Sequence, residues 1–345
     1  MNPNRHELVD AAMLRAIELA KLGPLWGANP RVGCVILDSQ GNTLAEGYHR
    51  GAGTAHAEVD ALSQLSPEQT QGATAIVTLE PCNHTGRTGP CARALIAAGI
   101  AEVHYAVADP GKASANGAAT LEAAGVKTSL GPRSPEAAEL NHAWFVALKE
   151  QRPYIILKWA STLDGRIAAA NGSSQWITGP DARADVHRRR ANADAIAVGT
   201  GTALADDPSL TARTPENTLY PHQPLAVVVG NRHIPDNAKL HRHPAGLLEH
   251  HSHDIESLLE ELQRREVRTL FVEGGTGLIS AFLRAGYGDE LLVYLAPKLL
   301  GGPMLALNDL GISGIDQALD FSVHRLEQLG NDVLIVSRQT SLEGK

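Results

Sequence analysis

The residues whose types and spacing could do chemistry lie between His56 and Cys91. They are His56-Ala57-Glu58, then Pro81-Cys82, then Cys91 after an eight-residue interval from Asn83 to Pro90. One imidazole and two thiolates offer three ligands to a zinc ion and leave the fourth tetrahedral position to water. Zinc brings the pKa of that water toward neutrality, so a hydroxide nucleophile forms without a strong base. Glu58, two residues beyond the histidine, is free to move protons rather than bind metal. These are the parts of a hydrolytic displacement, read here as removal of an amino group. The bland alternative is two buried cysteines and a surface histidine. It is disfavoured because five residues agree in type and context.

The elements that must position these groups are legible nearby. Ala73 to Leu79 is a short run rich in β-branched residues that ends at Glu80-Pro81, which puts Cys82 just past a strand end. Cys91 opens a helix to Ala98, with Gly99 as its C-cap, and His56 opens a helix over 57–65. A helix N-terminus suits a thiolate. Upstream, Glu7 to Leu22 has helical periodicity ended by Gly23-Pro24. Asn29 to Leu37 turns into a buried strand with Cys34 in the core, and Gly41-Asn42 turns a hairpin into Thr43–His49. A strand from Glu102 to Ala108, a helix near 117–124 and a helix from Glu136 to Lys149, with Ser134 as N-cap, complete an α/β layered region. Gln151-Arg152-Pro153 breaks the pattern, so the expected domains are 1–150 and 151–345.

The second half opens on the strand Tyr154–Ala160. Its sharpest local signal is the strand Thr269–Glu273, then Gly274-Gly275-Thr276-Gly277, then a helix from Leu278 to Ala285. Small residues between a strand and a helix start let backbone N–H groups approach a phosphate, or simply make a tight turn. The residues alone leave both open. His187 to Arg190 follows the helix start Gly179-Pro180-Asp181, and on the residues alone it reads as a solvated basic face.

Composition sets bounds. A formal net charge of −8 argues against a broad nucleic-acid surface. Three cysteines, two assigned to metal, exclude a disulfide framework and fit a reducing cytoplasm. No run approaches 18 apolar residues and no apolar leader follows Met1, so a soluble, cytoplasmic protein with no membrane partner is expected. The histidines at 241, 243, 250, 251 and 253 read as a solvated loop.

His-x-Glu with a later Pro-Cys and cysteine is the signature of zinc deaminases, in which the glutamate is the acid/base. Nucleic-acid and nucleoside deaminases usually have two residues between the cysteines. The longer Asn83-His84-Thr85-Gly86-Arg87-Thr88-Gly89-Pro90 insert instead resembles the bifunctional deaminase/reductase family of riboflavin biosynthesis. Asn29-Pro30-Arg31-Val32-Gly33-Cys34-Val35 and Leu140 to Phe145 are similar to the same family. So are Lys158-Trp159-Ala160, Ser174 to Thr178, Asp194 to Thr202, Asp206-Asp207-Pro208 and Val272 to Gly275. The chain differs at Gly89, at a shortened Gly111–Gly117 loop, and at Gly230, where the family tends to have aspartate.

The resemblance implies a cytidine-deaminase-like three-layer domain followed by a dihydrofolate-reductase-like domain, one zinc per deaminase site, NADPH and a homo-oligomer. It implies His56, Cys82 and Cys91 on zinc, Glu58 as catalyst and Asn29 on the pyrimidine. It places NADPH on Ala160, Trp176, Thr202, Asp206 and the run Gly275, Thr276, Gly277, Leu278, Ile279, Ser280 and Ala281. Substrate contacts are Ser174, Arg190, Leu210, Arg213 and Glu273; guanidinium forks suit a ribose phosphate. The implied reactions are deamination of a diaminopyrimidinone ribosyl phosphate, then hydride reduction of the ribosyl group to ribityl. Lys158 and Asp206 are the candidate proton donors. Two rivals are a nucleic-acid deaminase with an accessory domain, and a chain whose second half only binds nucleotide or a partner. The first is disfavoured by the cysteine gap, the acidic balance and the scarcity of aromatic residues.

Overall fold

The computed structural model describes residues 3–84, 89–111 and 114–340. It divides into two compact units, Met1–Gln151 and Arg152–Lys345.

The first unit runs α1 (Pro3–Ala20), β1 (Gly33–Leu37), β2 (Thr43–Tyr48), α2 (Ala57–Leu62), α3 (Pro67–Thr70), β3 (Thr74–Val77), α4 (Cys91–Ala97), β4 (Glu102–Tyr105), α5 (Gly117–Ala123), β5 (Lys127–Leu130), α6 (Ser134–Leu140) and α7 (His142–Glu150). The sheet order is β2-β1-β3-β4-β5, antiparallel where β1 meets β2 and β3 and parallel from β3 to β5. Period-two alternation explains the three layers. Cys34 and Ile36 point to one face and pack with Ala57, Ala61 and Leu95; Val35 and Leu37 point to the other and pack with Met13 and Ile17 of α1. Gly47 is needed where α2 lies on β2, because a Cβ there would enter the Ala57 carbonyl and the Ala61 amide.

Two sequence expectations change here. The helix expected from Glu136 to Lys149 is two helices broken at Asn141 (φ −118°, ψ 20°), and Arg133 rather than Ser134 is the N-cap of α6. The break frees the Asn141 side chain, which both accepts from the Arg31 amide (2.9 Å) and donates to the Arg31 carbonyl (2.8 Å). Ala98 caps α4, and Gly99, at φ +72°, is the left-handed residue one further on.

The second unit runs β6 (Tyr154–Thr162), α8 (Pro180–Arg190), β7 (Ala195–Gly199), α9 (Thr200–Asp206), β8 (Leu225–Val229), β9 (Leu247–His250), α10 (Ile255–Arg264), β10 (Thr269–Val272), α11 (Thr276–Arg284), β11 (Glu290–Ala296), β12 (Phe321–Leu329) and β13 (Asp332–Gln339). Its eight strands are ordered β12-β13-β11-β6-β10-β7-β8-β9; β6 to β11 are parallel, and the β12–β13 hairpin is antiparallel at one edge. Strands buried on both faces read as continuous apolar runs, as Leu225–Val229 and Thr269–Val272 do. One face packs on α10 and α11 through Leu258, Leu262, Ile279 and Phe282; the other packs on α8 through Ala182 and Val186. α11 starts two residues before the expected Leu278, so Thr276 and Gly277 form its first turn.

Candidate active sites

In the first unit, Cys82 follows β3, Cys91 is the first residue of α4, and His56 is the N-cap of α2. The His56 Nδ1 atom lies 3.2 Å from Cys91 Sγ and 3.6 Å from Cys82 Sγ, and the three donor atoms all fall within 4.8 Å of one another. A tetrahedral zinc with ordinary bond lengths separates nitrogen from sulfur by about 3.5 Å. The donor set and its spacing therefore fit zinc. The Cys91 amide also donates to Cys82 Sγ at 3.4 Å. A hydrogen bond from Cys91, together with His56, holds the Cys82 thiol down at about 4, and the same bond and burial push Cys91 up.

Glu58, in the first turn of α2, is 3% exposed. Burial raises its pKa, so the carboxyl favours the protonated form more than an exposed glutamate does. Asn29 stands beside this group through a residue that sequence reasoning missed. Its Nδ2 donates to His49 Nε2 at 2.9 Å, while His49 Nδ1 contacts the Ala55 carbonyl at 3.0 Å. That pairing makes Nδ1–H the donor and Nε2 the acceptor, a neutral imidazole, consistent with burial lowering the His49 pKa. The His49 ring meets His56 edge-on, centroids 5.1 Å apart. Its signal in the sequence was only its place after β2. The insert residues Thr85 to Thr88, and Lys112 and Ala113 of the shortened loop, lie outside the described residues.

In the second unit, Arg190 at the end of α8 reaches Glu273 at the end of β10, 83 residues away, through two bonds of 2.6 and 2.9 Å. Lys158 of β6 joins them, its Nζ 3.8 Å from Glu273 and 5.6 Å from the Tyr294 ring centroid. Tyr294 Oη donates to the buried Asp185 at 2.6 Å. Burial opposes ionisation of Glu273, yet the charges of Arg190 and Lys158 hold its carboxyl down at about 2. Burial lowers Lys158. Arg190 also bonds the Thr211 carbonyl (3.2 Å), and Arg213 Nε bonds Thr211 Oγ1 (3.1 Å). With Leu210, buried at φ +54°, the expected substrate residues of this segment form one cluster.

The expected cofactor residues group around two turns. The Gly275 amide donates to Thr202 Oγ1 at 3.0 Å, joining the turn before α11 to the first turn of α9. A Cβ on Gly274, at φ +110°, would press Thr202 Oγ1 at 2.9 Å, whereas one on Gly277 would meet nothing within 4 Å. No side chain caps α11. A glycine cradle over an uncapped helix start fits the pyrophosphate of a dinucleotide. Asp206 is exposed at the end of α9, and Ala160 is half-buried in β6. Ser174 and Trp176 sit on an exposed loop; Trp176 stacks on Arg183, 4.6 Å to the ring centroid, and its carbonyl accepts from Lys298 (2.9 Å). Among the described residues no hydrogen bond ties Ser174 or Trp176 to the Arg190 cluster.

Two family models match the chain. One, the RibD C-terminal domain, covers residues 153–335, and the other, the cytidine and deoxycytidylate deaminase zinc-binding region, covers 6–107. The riboflavin biosynthesis protein RibD of Mycobacterium tuberculosis (strain H37Rv) is 44% identical over 97% of this chain and 98% of its own length. The chain belongs to the RibD family. It is a bifunctional deaminase/reductase of riboflavin biosynthesis, with a zinc-binding deaminase domain and an NADPH-dependent RibD reductase domain. RibD of Escherichia coli (strain K12) is 40% identical over 94% of this chain and 97% of its own. Among solved structures, Acinetobacter baumannii RibD has a TM-score of 0.89 at 37% identity, covering 97% of this chain and 99% of that one. A Thermotoga maritima diaminohydroxyphosphoribosylaminopyrimidine deaminase/5-amino-6-(5-phosphoribosylamino)uracil reductase has 0.83 at 32%, covering 97% and 100%. The expected fold pair, the two activities and the two cofactors stand. Among the described residues no helix is long and apolar enough to cross a membrane.

Proposed function

We propose that residues 1–150 deaminate 2,5-diamino-6-(5-phosphoribosylamino)pyrimidin-4(3H)-one and that residues 151–345 then reduce its ribosyl group to ribityl. The observation that carries the first step is the convergence of His56, Cys82 and Cys91 beside buried Glu58. When bound by these three residues, zinc supplies the Lewis acidity that makes water deprotonable near neutral pH. A Glu58 carboxylate oxygen takes the proton of the attacking water and returns it to the departing amino nitrogen, so water is consumed and ammonia leaves. Asn29, oriented by His49, holds the pyrimidine edge through its remaining amide oxygen.

For the second step, Arg213 and Ser174 take the ribose phosphate, and NADPH supplies the hydride received at C1′. Lys158 is the better proton donor of the two candidates. It is buried against Glu273 with a lowered pKa, whereas Asp206 is exposed at the end of α9. Its Nζ gives a proton to the ribosyl oxygen as the sugar ring opens. Arg190 and Glu273 act as a pair, Glu273 fixing Arg190 and Lys158 at once. Exposed Val323, Leu326 and Val333 on the β12–β13 edge support a homo-oligomer, and the cysteine usage supports a cytoplasmic home.

The test is incubation of the zinc-loaded protein with the diaminopyrimidinone ribosyl phosphate, with and without NADPH. Ammonia is expected in both cases and the ribityl product only with NADPH. Ammonia without ribityl product sinks the reductase assignment; no ammonia sinks the deaminase assignment.

A further inference from the structure

The segment from Leu210 to Arg213 lies between α9 and β8 and belongs to neither element, so its backbone polar groups must find partners elsewhere. Three side chains supply them. Arg190 donates to the Thr211 carbonyl at 3.2 Å. Gln223 accepts from the Ala212 amide at 2.8 Å and donates to the Ala212 carbonyl at 2.9 Å. His187 Nδ1 accepts from the Arg213 amide at 3.3 Å. Read from the sequence, His187 belongs to a solvated basic face. In the structure it is half-buried, one helical turn before Arg190 on α8, and both side chains reach the same segment.

The bond to Arg213 specifies the state of the ring. An amide donating to Nδ1 requires that nitrogen to be unprotonated, with the proton on Nε2. Burial, then the neighbouring Arg190 charge, lowers the His187 pKa against the pull of Glu273, which favours that neutral form. The same bond fixes the backbone from which the Arg213 guanidinium extends. Its Nε is taken by Thr211 Oγ1 at 3.1 Å and its Nη1 by the Asn217 carbonyl at 3.1 Å, while among the described residues Nη2 makes no hydrogen bond. A fork held on two sides offers its spare nitrogen in one direction only, and a shift of the backbone beneath it would misaim it.

We propose that His187 is a positioning residue for the reductase step: its Nδ1 anchors the Arg213 backbone and so aims the Arg213 guanidinium at the phosphate of the ribosyl substrate. The inference rests on the reading that Arg213 takes that phosphate. The phosphate is remote from C1′, so loss of the anchor should weaken substrate capture more than it slows hydride transfer.

The test is steady-state kinetics of the full chain on the deaminated intermediate, followed by NADPH consumption. His187→Leu removes the acceptor and is expected to raise KM for the intermediate about 3- to 10-fold, with kcat within about twofold of wild type. His187→Asn puts an amide oxygen where Nδ1 was and should return KM to within about twofold of wild type. Leucine is the better helix former of the two, so that order cannot come from the stability of α8. Arg213→Ala, measured beside them, separates the inference from the reading beneath it. If Arg213→Ala raises KM but His187→Leu does not, or if the asparagine rescues nothing, His187 does not position Arg213. A fall in kcat with KM unchanged in His187→Leu overturns the inference as well. If Arg213→Ala leaves KM unchanged, the phosphate reading itself is wrong and the inference goes with it.

Discussion

Glu58 and Glu273 are both buried carboxylates, but their neighbours push them in opposite directions. Glu58 is raised by burial, which suits the proton carrier proposed above, while Glu273 is pinned as an anion between two cations. Glu58→Gln keeps the size of the side chain and removes the titrating oxygen. It should lower ammonia release by about 10²- to 10⁴-fold, with zinc content unchanged by elemental analysis; loss of zinc along with activity would make Glu58 a structural residue. Glu273 is tested by stability. Its pKa is about 2 when folded against an ordinary 4.5. A depressed folded pKa contributes stability that is complete above the unfolded value and lost as pH falls through the folded one. Glu273→Gln leaves Arg190 and Lys158 without their buried partner, which should cost about 3 kcal/mol near neutral pH. In urea unfolding, the gap between wild type and variant should narrow between pH 4.5 and 2. A gap that stays constant over that range would show that Glu273 is not the ionised centre of the cluster.

Elements were legible from the sequence where one local requirement dominated. The candidate zinc ligands stood out because few residue types bind that ion, and the strand before Cys82 and the helix opened by Cys91 followed from short-range signals. The break at Asn141 was hidden. Ser134 to Lys149 satisfies helical rules throughout, and the interruption serves a partner 110 residues away, the Arg31 backbone. The pairing of Arg190 with Glu273 was hidden for the same reason, since each looked like a separate substrate contact. The broken helix has a consequence for the site. Asn141 clamps both polar groups of the Arg31 backbone, Trp144 Nε1 donates to the Ala28 carbonyl at 2.9 Å, and Asn29 lies between them. Asn141→Ala leaves the half-buried Arg31 backbone groups without these partners and should cost about 1–3 kcal/mol. Hydrogen exchange should quicken across residues 28–31 while zinc stays bound. Unchanged protection there would mean that the clamp does not hold the segment.

At the scale of the molecule, each unit has its own sheet and its own cores, and each gathers its chemical groups from within itself. Everything proposed for the deaminase lies between Asn29 and Cys91, and everything proposed for the reductase lies between Lys158 and Ala281. No side chain is asked to serve both reactions. Two chains crippled in opposite halves should therefore complement each other through a free intermediate. Glu58→Gln alone should release ammonia from the first substrate only at the residual rate given above, yet reduce the deaminated intermediate when supplied with it. Lys158→Gln alone should release ammonia and stop before the ribityl product. Mixed in equal amounts with NADPH, the two should make the ribityl product after a lag that shortens as protein concentration rises, followed by product chromatography over time. If each variant keeps its intact half-reaction but the mixture makes no ribityl product, the intermediate does not pass between chains. The two units would then have to be treated as one coupled catalyst rather than two joined by a shared chain.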